Sequence, residues 1–326
     1  MRILVVGAGV IGSFNAARLA EGGHDVTLLA RGRRLAELRE QGVVLENART
    51  GQRTVTHVPL TEHLRPDDAY DLAVVVVRRN QIPSVLPTLA RAQRIPSVLF
   101  LGNNAAGSED IVQVLGRDRV LIGVVNAGGY RQGNVVHYLW WQWSALALQI
   151  SELDGRPSAR TAAILEAFRS AGLPARLNRH LDAFLKTHAA GLPGFAGALY
   201  RASGSVRRLA HRPDLVRLFV RSMRECLRAL SRLGVPITPA ATQLVFWIPL
   251  PLIAWGVRLF LDTKLAEVGG EKHANAAPDE MKEFADEFRE IIRQAGTTAP
   301  ASAELFAAVD QRAQQAAAAP AGGTSR

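Results

Sequence analysis

MRILVVGAGVIGSFNAARL, Met1 to Leu19, is the stretch whose reading decides how this chain folds. Ile3, Leu4, Val5 and Val6 form a short apolar run, as expected of a strand buried on both faces. Gly7-Ala8-Gly9-Val10-Ile11-Gly12 follows at once, and Phe14, Ala17 and Leu19 continue at helical spacing. Each glycine answers a separate demand. Gly7 permits a tight turn out of the strand, Gly9 lets an anion approach the backbone, and Gly12 lets the helix pack closely on the sheet. The helix N-terminus then offers unpaired N–H groups to phosphates. Strand, turn and helix stand in the order a dinucleotide-binding unit requires, with Gly7 to Gly12 (Ala8, Val10 and Ile11 included) as its phosphate loop.

Working outward, His24 to Leu29 reads as a second strand and Arg33 to Gln41 as a second helix. The tip of that second strand chooses the cofactor. A carboxylate there holds the ribose hydroxyls of NAD, whereas a 2′-phosphate calls for arginine. The sequence at that point is Ala30-Arg31-Gly32-Arg33-Arg34, with Arg31 nineteen residues after Gly12 and no carboxylate. A solvated helix start is the alternative, but cations at a helix N-terminus are unfavourable unless an anion joins them. NADP(H) is the expected cofactor.

Val43 to Pro59 suggests a short antiparallel excursion. Asp71 to Val77 and Ser97 to Leu101 read as core parallel strands, ending in Arg78-Arg79-Asn80-Gln81 and Gly102-Asn103-Asn104-Ala105-Ala106-Gly107. Ligands gather at the carboxyl ends of such strands, so Arg78, Gln81, Asn103 and Asn104 belong on the cofactor side; ordinary turn chemistry is the competing reading for the two asparagines. Val120 to Val124 and the run from Val135 to Ile150 are expected to close the sheet, with Trp140, Trp141 and Trp143 as core or interface. Pro157 to Ala171 reads as a helix and Pro174 to Leu177 as a last strand. The expected Rossmann-type domain is therefore 1–178.

From there the pattern is helical over 179–313, with long candidates at His180 to Ala190, Pro213 to Leu233, Pro239 to Leu261 and Pro278 to Ala295. Leu244 to Leu261 carries a single charge, Arg258. Pro249 and Pro251 interrupt it, so a buried helix pair or dimer face is expected rather than a membrane span. The segment 314–326, rich in Ala, Pro, Gly and Ser, is expected to be a disordered tail.

Composition limits the function classes. The 326 residues suit two domains, and 48% hydrophobic with 21% charged residues describes a globular chain. The net charge of +10 comes almost wholly from scattered arginines, without a basic stripe interleaved with aromatics. Nucleic acid is therefore not the expected partner; a phosphorylated cofactor and an acidic small molecule are. The single cysteine, Cys226, excludes an intramolecular disulfide, and no metal site is expected. The chain opens on a core strand, which leads to the expectation of a cytoplasmic protein.

These residues together resemble the ketopantoate reductase (2-dehydropantoate 2-reductase) family. The resemblance implies an α/β architecture: an N-terminal doubly wound Rossmann sheet and an all-helical C-terminal domain like that of 6-phosphogluconate dehydrogenase, with the active site in the cleft between. It implies cofactor roles for Arg31, for Arg78 (where the family has lysine) and for Gln81. Asn104-Ala105-Ala106-Gly107 stands where the family has Asn-Gly-x-Gly, with Asn103 as the register-shifted alternative. Phe184-Leu185-Lys186 matches the setting of the family's catalytic lysine. Glu280 lies sixteen residues before Gly296 and twenty before Pro300, the intervals of its substrate-binding glutamate. The implied chemistry is hydride transfer from NADPH to a 2-oxo acid, with Lys186 as proton donor, Asn104 fixing substrate and nicotinamide, and Glu280 accepting from a substrate hydroxyl. Two departures stand out: the family's two asparagines after the lysine are replaced by Ala190 and Gly194. The expected consequence is fewer hydrogen bonds and more room for substrate. An imine or opine-type reductase of the same architecture, or a non-catalytic NADP(H) sensor, are the other functions open at this point, and a homodimer is the expected assembly.

Overall fold

The computed structural model describes residues 1–124, 127–140 and 147–318. It divides into two compact units. One comprises Met1–Asn103 and Gly107–Asp182. The other comprises Asn104–Ala106 and the chain from Ala183 onward. The division falls four residues later than the expected 178/179 boundary, and the three-residue loop assigned to the second unit was not foreseen.

In the first unit, β1 (Arg2–Val6), α1 (Val10–Glu21), β2 (Asp25–Leu29), α2 (Gly32–Gln41), β3 (Val43–Asn47), β4 (Arg53–Thr56), β5 (Leu60–Thr61), β6 (Leu72–Val75), α3 (Ile82–Arg91), β7 (Val98–Leu101), α4 (Glu109–Leu115), β8 (Val120–Val124), β9 (Ala127–Gln132), β10 (Val135–Trp140), β11 (Leu148–Glu152), α5 (Ala159–Ser170) and β12 (Ala175–Leu177) follow in order. The main sheet runs β12-β11-β8-β7-β6-β1-β2-β5. β1 is the sixth of its eight strands, parallel to β2 and β6, with Ile3 opposite Val26 and Leu72. β11 is antiparallel to β8. Alternation along β1 sends Ile3 and Val5 into one buried cluster and Leu4 and Val6 into another, so both faces of the sheet are covered and the all-apolar run is explained.

A second sheet, β4-β3-β10-β9, corrects the expectation that Val135 to Ile150 closes the main sheet. Only β11 does so; β10 instead pairs parallel with β3 and antiparallel with β9. This sheet backs α1. The Phe14 and Tyr138 rings lie 5.0 Å apart, Arg18 donates to the Tyr138 hydroxyl at 2.7 Å, and a Cβ on Gly129 would stand 2.9 Å from Val10. Trp141 and Trp143 lie outside the described residues.

The second unit is helical: α6 (Leu181–Ala189), α7 (Leu192–Arg201), α8 (Val206–Ala210), α9 (Pro213–Arg232), α10 (Leu250–Leu261), α11 (Lys272–Ala276), α12 (Pro278–Gln294) and α13 (Pro300–Ala318). Its core gathers Leu199, Leu227, Phe284, Phe288 and Phe306. Cys226 is buried there beside Ser302, 3.7 Å from its hydroxyl, and burial pushes its thiol pKa up to about 12.

Three expectations change in this unit. The single helix expected over Pro239 to Leu261 is a 3₁₀ turn at Ala240–Phe246 followed by α10, because Pro249 and Pro251 have no N–H to give the Val245 and Trp247 carbonyls. The apolar stretch does not form the buried helix pair, the first of the two expected alternatives: Trp247 is 83% exposed and Trp255 62%. No helix of the described residues is long and apolar enough to cross a membrane. Finally, α13 continues through Gln314 to Ala318, where a disordered tail was expected to have begun; its alanines are strong helix formers.

Candidate dinucleotide and substrate site

The turn after β1 is built by what its glycines lack. Gly7 takes a positive φ of 109° and any Cβ on it would strike the Val76 carbonyl, in the segment following β6. A Cβ on Gly12 would overlap the Gly7 carbonyl oxygen, so the start of α1 is pressed against the turn. Gly9 differs: nothing lies within 4 Å of its would-be Cβ. Gly9 is also the N-cap of α1, with no side-chain cap and no acidic residue in the first turn. Open space in front of uncapped N–H groups fits a pyrophosphate. The residues present therefore suit the dinucleotide expected of them.

The arginines at the tip of β2 divide their work. Arg33 donates to Glu37 at 2.9 Å and Arg34 at 3.4 Å, and Arg131 reaches the same carboxylate at 3.3 Å. Arg34 is mostly buried; its guanidinium donates to the Ala8 carbonyl and the Ser13 hydroxyl, both at 3.2 Å, and thereby braces the glycine turn. That bracing role was not anticipated. Arg31 is left exposed at the N-cap of α2, and among the described residues no carboxylate pairs with it. Its charge is available to a phosphate.

Arg78 and Gln81 flank a short 3₁₀ turn after β6. The Gln81 side-chain oxygen accepts from the Arg78 backbone N–H at 3.3 Å, so it caps the turn. Arg79, largely buried, pairs with Asp110 at 2.8 Å and ties this turn to α4.

The second unit holds the proposed substrate groups. Asn103 falls in the first unit, whereas Asn104 to Ala106 fall in the second. The Ala105 N–H donates to Glu287 at 3.2 Å, and Ala105 is fully buried in the helical core. Glu287 and Glu280 lie on α12 seven residues apart, two turns along one face. The loop carrying Asn104 is therefore fastened to the helix carrying Glu280. Glu287 was missed from sequence, although its spacing from Glu280 could have pointed to it. Glu280 is 6% exposed, and His273 of α11 approaches its carboxylate at 3.4 Å. Nothing in the sequence singled out His273.

Lys186 lies near the end of α6, half-buried. His188 stacks its ring parallel to Phe184 at 6.2 Å. Solvent still reaches His188, but dense surrounding protein, with a smaller contribution from His273, holds its imidazole below the usual range.

The two replaced asparagine positions correct the expectation of added room. α6 ends at Ala189 and α7 begins at Leu192 with Pro193 in its first turn, so residues 186 and 194 do not share a helix. Ala190 is fully buried, and a Cβ on Gly194 would lie 2.7 Å from the Ser222 hydroxyl. Helix packing fills both places.

The first unit is a doubly wound sheet with a glycine turn after β1 and Arg31 past the tip of β2, and the second is a helical unit that carries Asn104, Lys186 and the buried Glu280. Residues 3–149 match the model of ketopantoate reductase PanE/ApbA, so the N-terminal part of the chain is similar to that family. A 2-dehydropantoate 2-reductase of Pyrococcus horikoshii is 27% identical over 186 residues, 56% of this chain and 57% of the relative. The chain thus matches little more than half the length of that curated relative. In fold it is similar to 2-dehydropantoate 2-reductase from Geobacter metallireducens, with a TM-score of 0.78 at 18% identity over 95% of this chain and 99% of the other. It is equally similar to D-mandelate dehydrogenase solved with NADH and anilino(oxo)acetate: TM-score 0.78, 15% identity, 97% and 99% covered.

Proposed function

We propose that the chain is an NADPH-dependent reductase that converts a 2-oxo acid to the 2-hydroxy acid. The observation that carries this reading is the nucleotide turn: Gly9 opens onto uncapped helix N–H groups, and Arg31 stands exposed past the neighbouring strand β2 without a carboxylate partner among the described residues. Gly7 to Gly12 would hold the pyrophosphate through backbone N–H groups, and Arg31 the 2′-phosphate. Arg78, Gln81 and Asn103 would line the same side of the sheet. Bound there, NADPH supplies the hydride to the carbonyl carbon.

The chain's own groups complete the reaction. As the carbonyl bond breaks, negative charge grows on its oxygen, and Lys186 meets that charge with its ammonium and gives up the proton. Asn104 orients substrate, aided by the tie from Ala105 to Glu287. Glu280 accepts a hydrogen bond from a substrate hydroxyl or orients Lys186. With Ala190 and Gly194 in place of two amides, a small polar hydroxy-oxo acid would leave groups unpaired at about 1–3 kcal/mol each, so ketopantoate is a poor substrate and a more apolar 2-oxo acid a better one. The D-mandelate dehydrogenase neighbour, solved with an aromatic oxo acid derivative, supports that direction.

The test is a paired titration with NADPH and NADH followed by turnover on a panel of 2-oxo acids, ketopantoate included. Tighter NADPH binding is expected, with reduction fastest on apolar members of the panel. Lys186→Ala should lower kcat by roughly 10²–10⁴-fold while leaving the NADPH dissociation constant unchanged. Near-normal turnover of that variant, or no preference for the phosphorylated nucleotide, would overturn the assignment.

A further inference from the structure

We propose that the helical unit docks onto an anionic lipid surface through α10 and the turn that precedes it. The stretch Leu244 to Leu261 carries one charge in eighteen residues. Folding normally hides such a sequence, yet here much of it faces water. Leu244, Trp247, Leu252, Trp255, Leu259 and Phe260 are all at least half exposed. Positions 252, 255 and 259 recur at helical spacing, so α10 presents one apolar face outward, while Ala254 and Ile253 meet the core behind it. Isolated exposed hydrophobics are ordinary, but a gathered set of this size marks an interaction surface. At twelve residues, α10 is about 18 Å long. It lies on a bilayer rather than crossing it.

The charge around the patch selects the partner. α10 packs against α9 and α8. On α9, Arg217, Arg221, Arg224 and Arg228 follow one another at spacings of four, three and four residues, one stripe along the helix. Among the described residues none of the four pairs with a carboxylate. Arg224 donates to the carbonyls of Val245 at 2.7 Å and Ile248 at 2.5 Å, which fixes the turn that exposes Trp247. Arg228 lies over the Phe246 ring at 6.0 Å. Exposed tryptophans and leucines bordered by unneutralised guanidinium groups match the acyl boundary and phosphate layer of an anionic membrane. A second copy of the chain fits less well, because two-fold pairing of this face would set the arginine stripes against each other.

Co-sedimentation of the full chain with phosphatidylcholine vesicles, with and without phosphatidylglycerol, tests the proposal. Binding is expected only with phosphatidylglycerol and should weaken as salt is raised. W247S/W255S should weaken it roughly tenfold or more, since two interfacial anchors are lost. R217Q/R221Q should weaken it by a similar factor on anionic vesicles, and circular dichroism confirms that each variant is folded. The lipid and salt response of the unaltered chain decides the matter independently of any variant. No phosphatidylglycerol-dependent sedimentation overturns the proposal. So does a concentration-dependent dimer in sedimentation velocity that W247S/W255S dissociates, which would assign the face to a second copy.

Discussion

Two glycine-built contacts, one in each unit, use the same residue to opposite ends. At the start of α1, Gly12 presses on the Gly7 carbonyl, while Gly9 between them faces empty space. Along α7, Gly194 presses on Ser222 and Gly197 on the Leu305 carbonyl, and both glycines are buried. Each pair lets a neighbouring segment approach the helix more closely than a side chain would allow. Only the first leaves donors facing an opening. The lesson is that a run of glycines marks close packing; an open Cβ direction in front of an uncapped helix N-terminus marks a place for a ligand.

Substitutions can break this contrast, and the largest effect should come at Gly12. Gly12→Ala puts a methyl group into the Gly7 carbonyl, and a loss of about 3 kcal/mol or more is expected in chemical denaturation, at the upper end of single-residue effects. At Gly194→Ala the obstacle is a serine hydroxyl, so the loss should be about 1–3 kcal/mol, the usual range for overpacking. Adding Ser222→Ala to that variant should recover most of it; failure to do so would mean that another contact sets the limit. Gly9→Ala sharpens the comparison from the other side. Its stability should stay within about 0.5 kcal/mol of the parent, as for surface changes, while calorimetric titration shows NADPH binding weakened at least tenfold. If stability falls instead, Gly9 belongs with Gly12 as a packing residue.

The smallest expected effect concerns pH. The folded state holds the His188 pKa below its ordinary value, so between that lowered value and about 6.5 the unfolded chain binds more protons. Stability therefore falls as pH drops through this window and is regained above it. His188→Asn should flatten that part of the stability profile, measured by denaturant midpoints across the acid range.

Much of the first unit was legible because its signals are local. An apolar run, three glycines and a helical repeat lie within nineteen residues, and Arg31 comes two residues after the next strand. The second sheet was not legible. β3 and β10 pair Val44 with Val135, and alternation along either strand says nothing about so distant a partner. In the helical unit, Lys186 was singled out by its Phe184-Leu185 setting and Glu280 by its intervals to Gly296 and Pro300, but their surroundings depend on tertiary packing. His273 beside Glu280 and the tie from Ala105 to Glu287 are visible only once the helices are assembled, whereas the end of α6 near Ala190 was legible in the sequence. Hydropathy marked 244–261 as apolar without indicating which side of the helix would remain outside.

Cys226 offers a practical consequence. The chain has one thiol, locked in the helical core with its ionisation suppressed, so maleimides and spin labels should ignore the native protein. A cysteine introduced at any solvent-facing position would then be the sole attachment point, and fluorescent or paramagnetic reporters could be installed without first removing a natural residue.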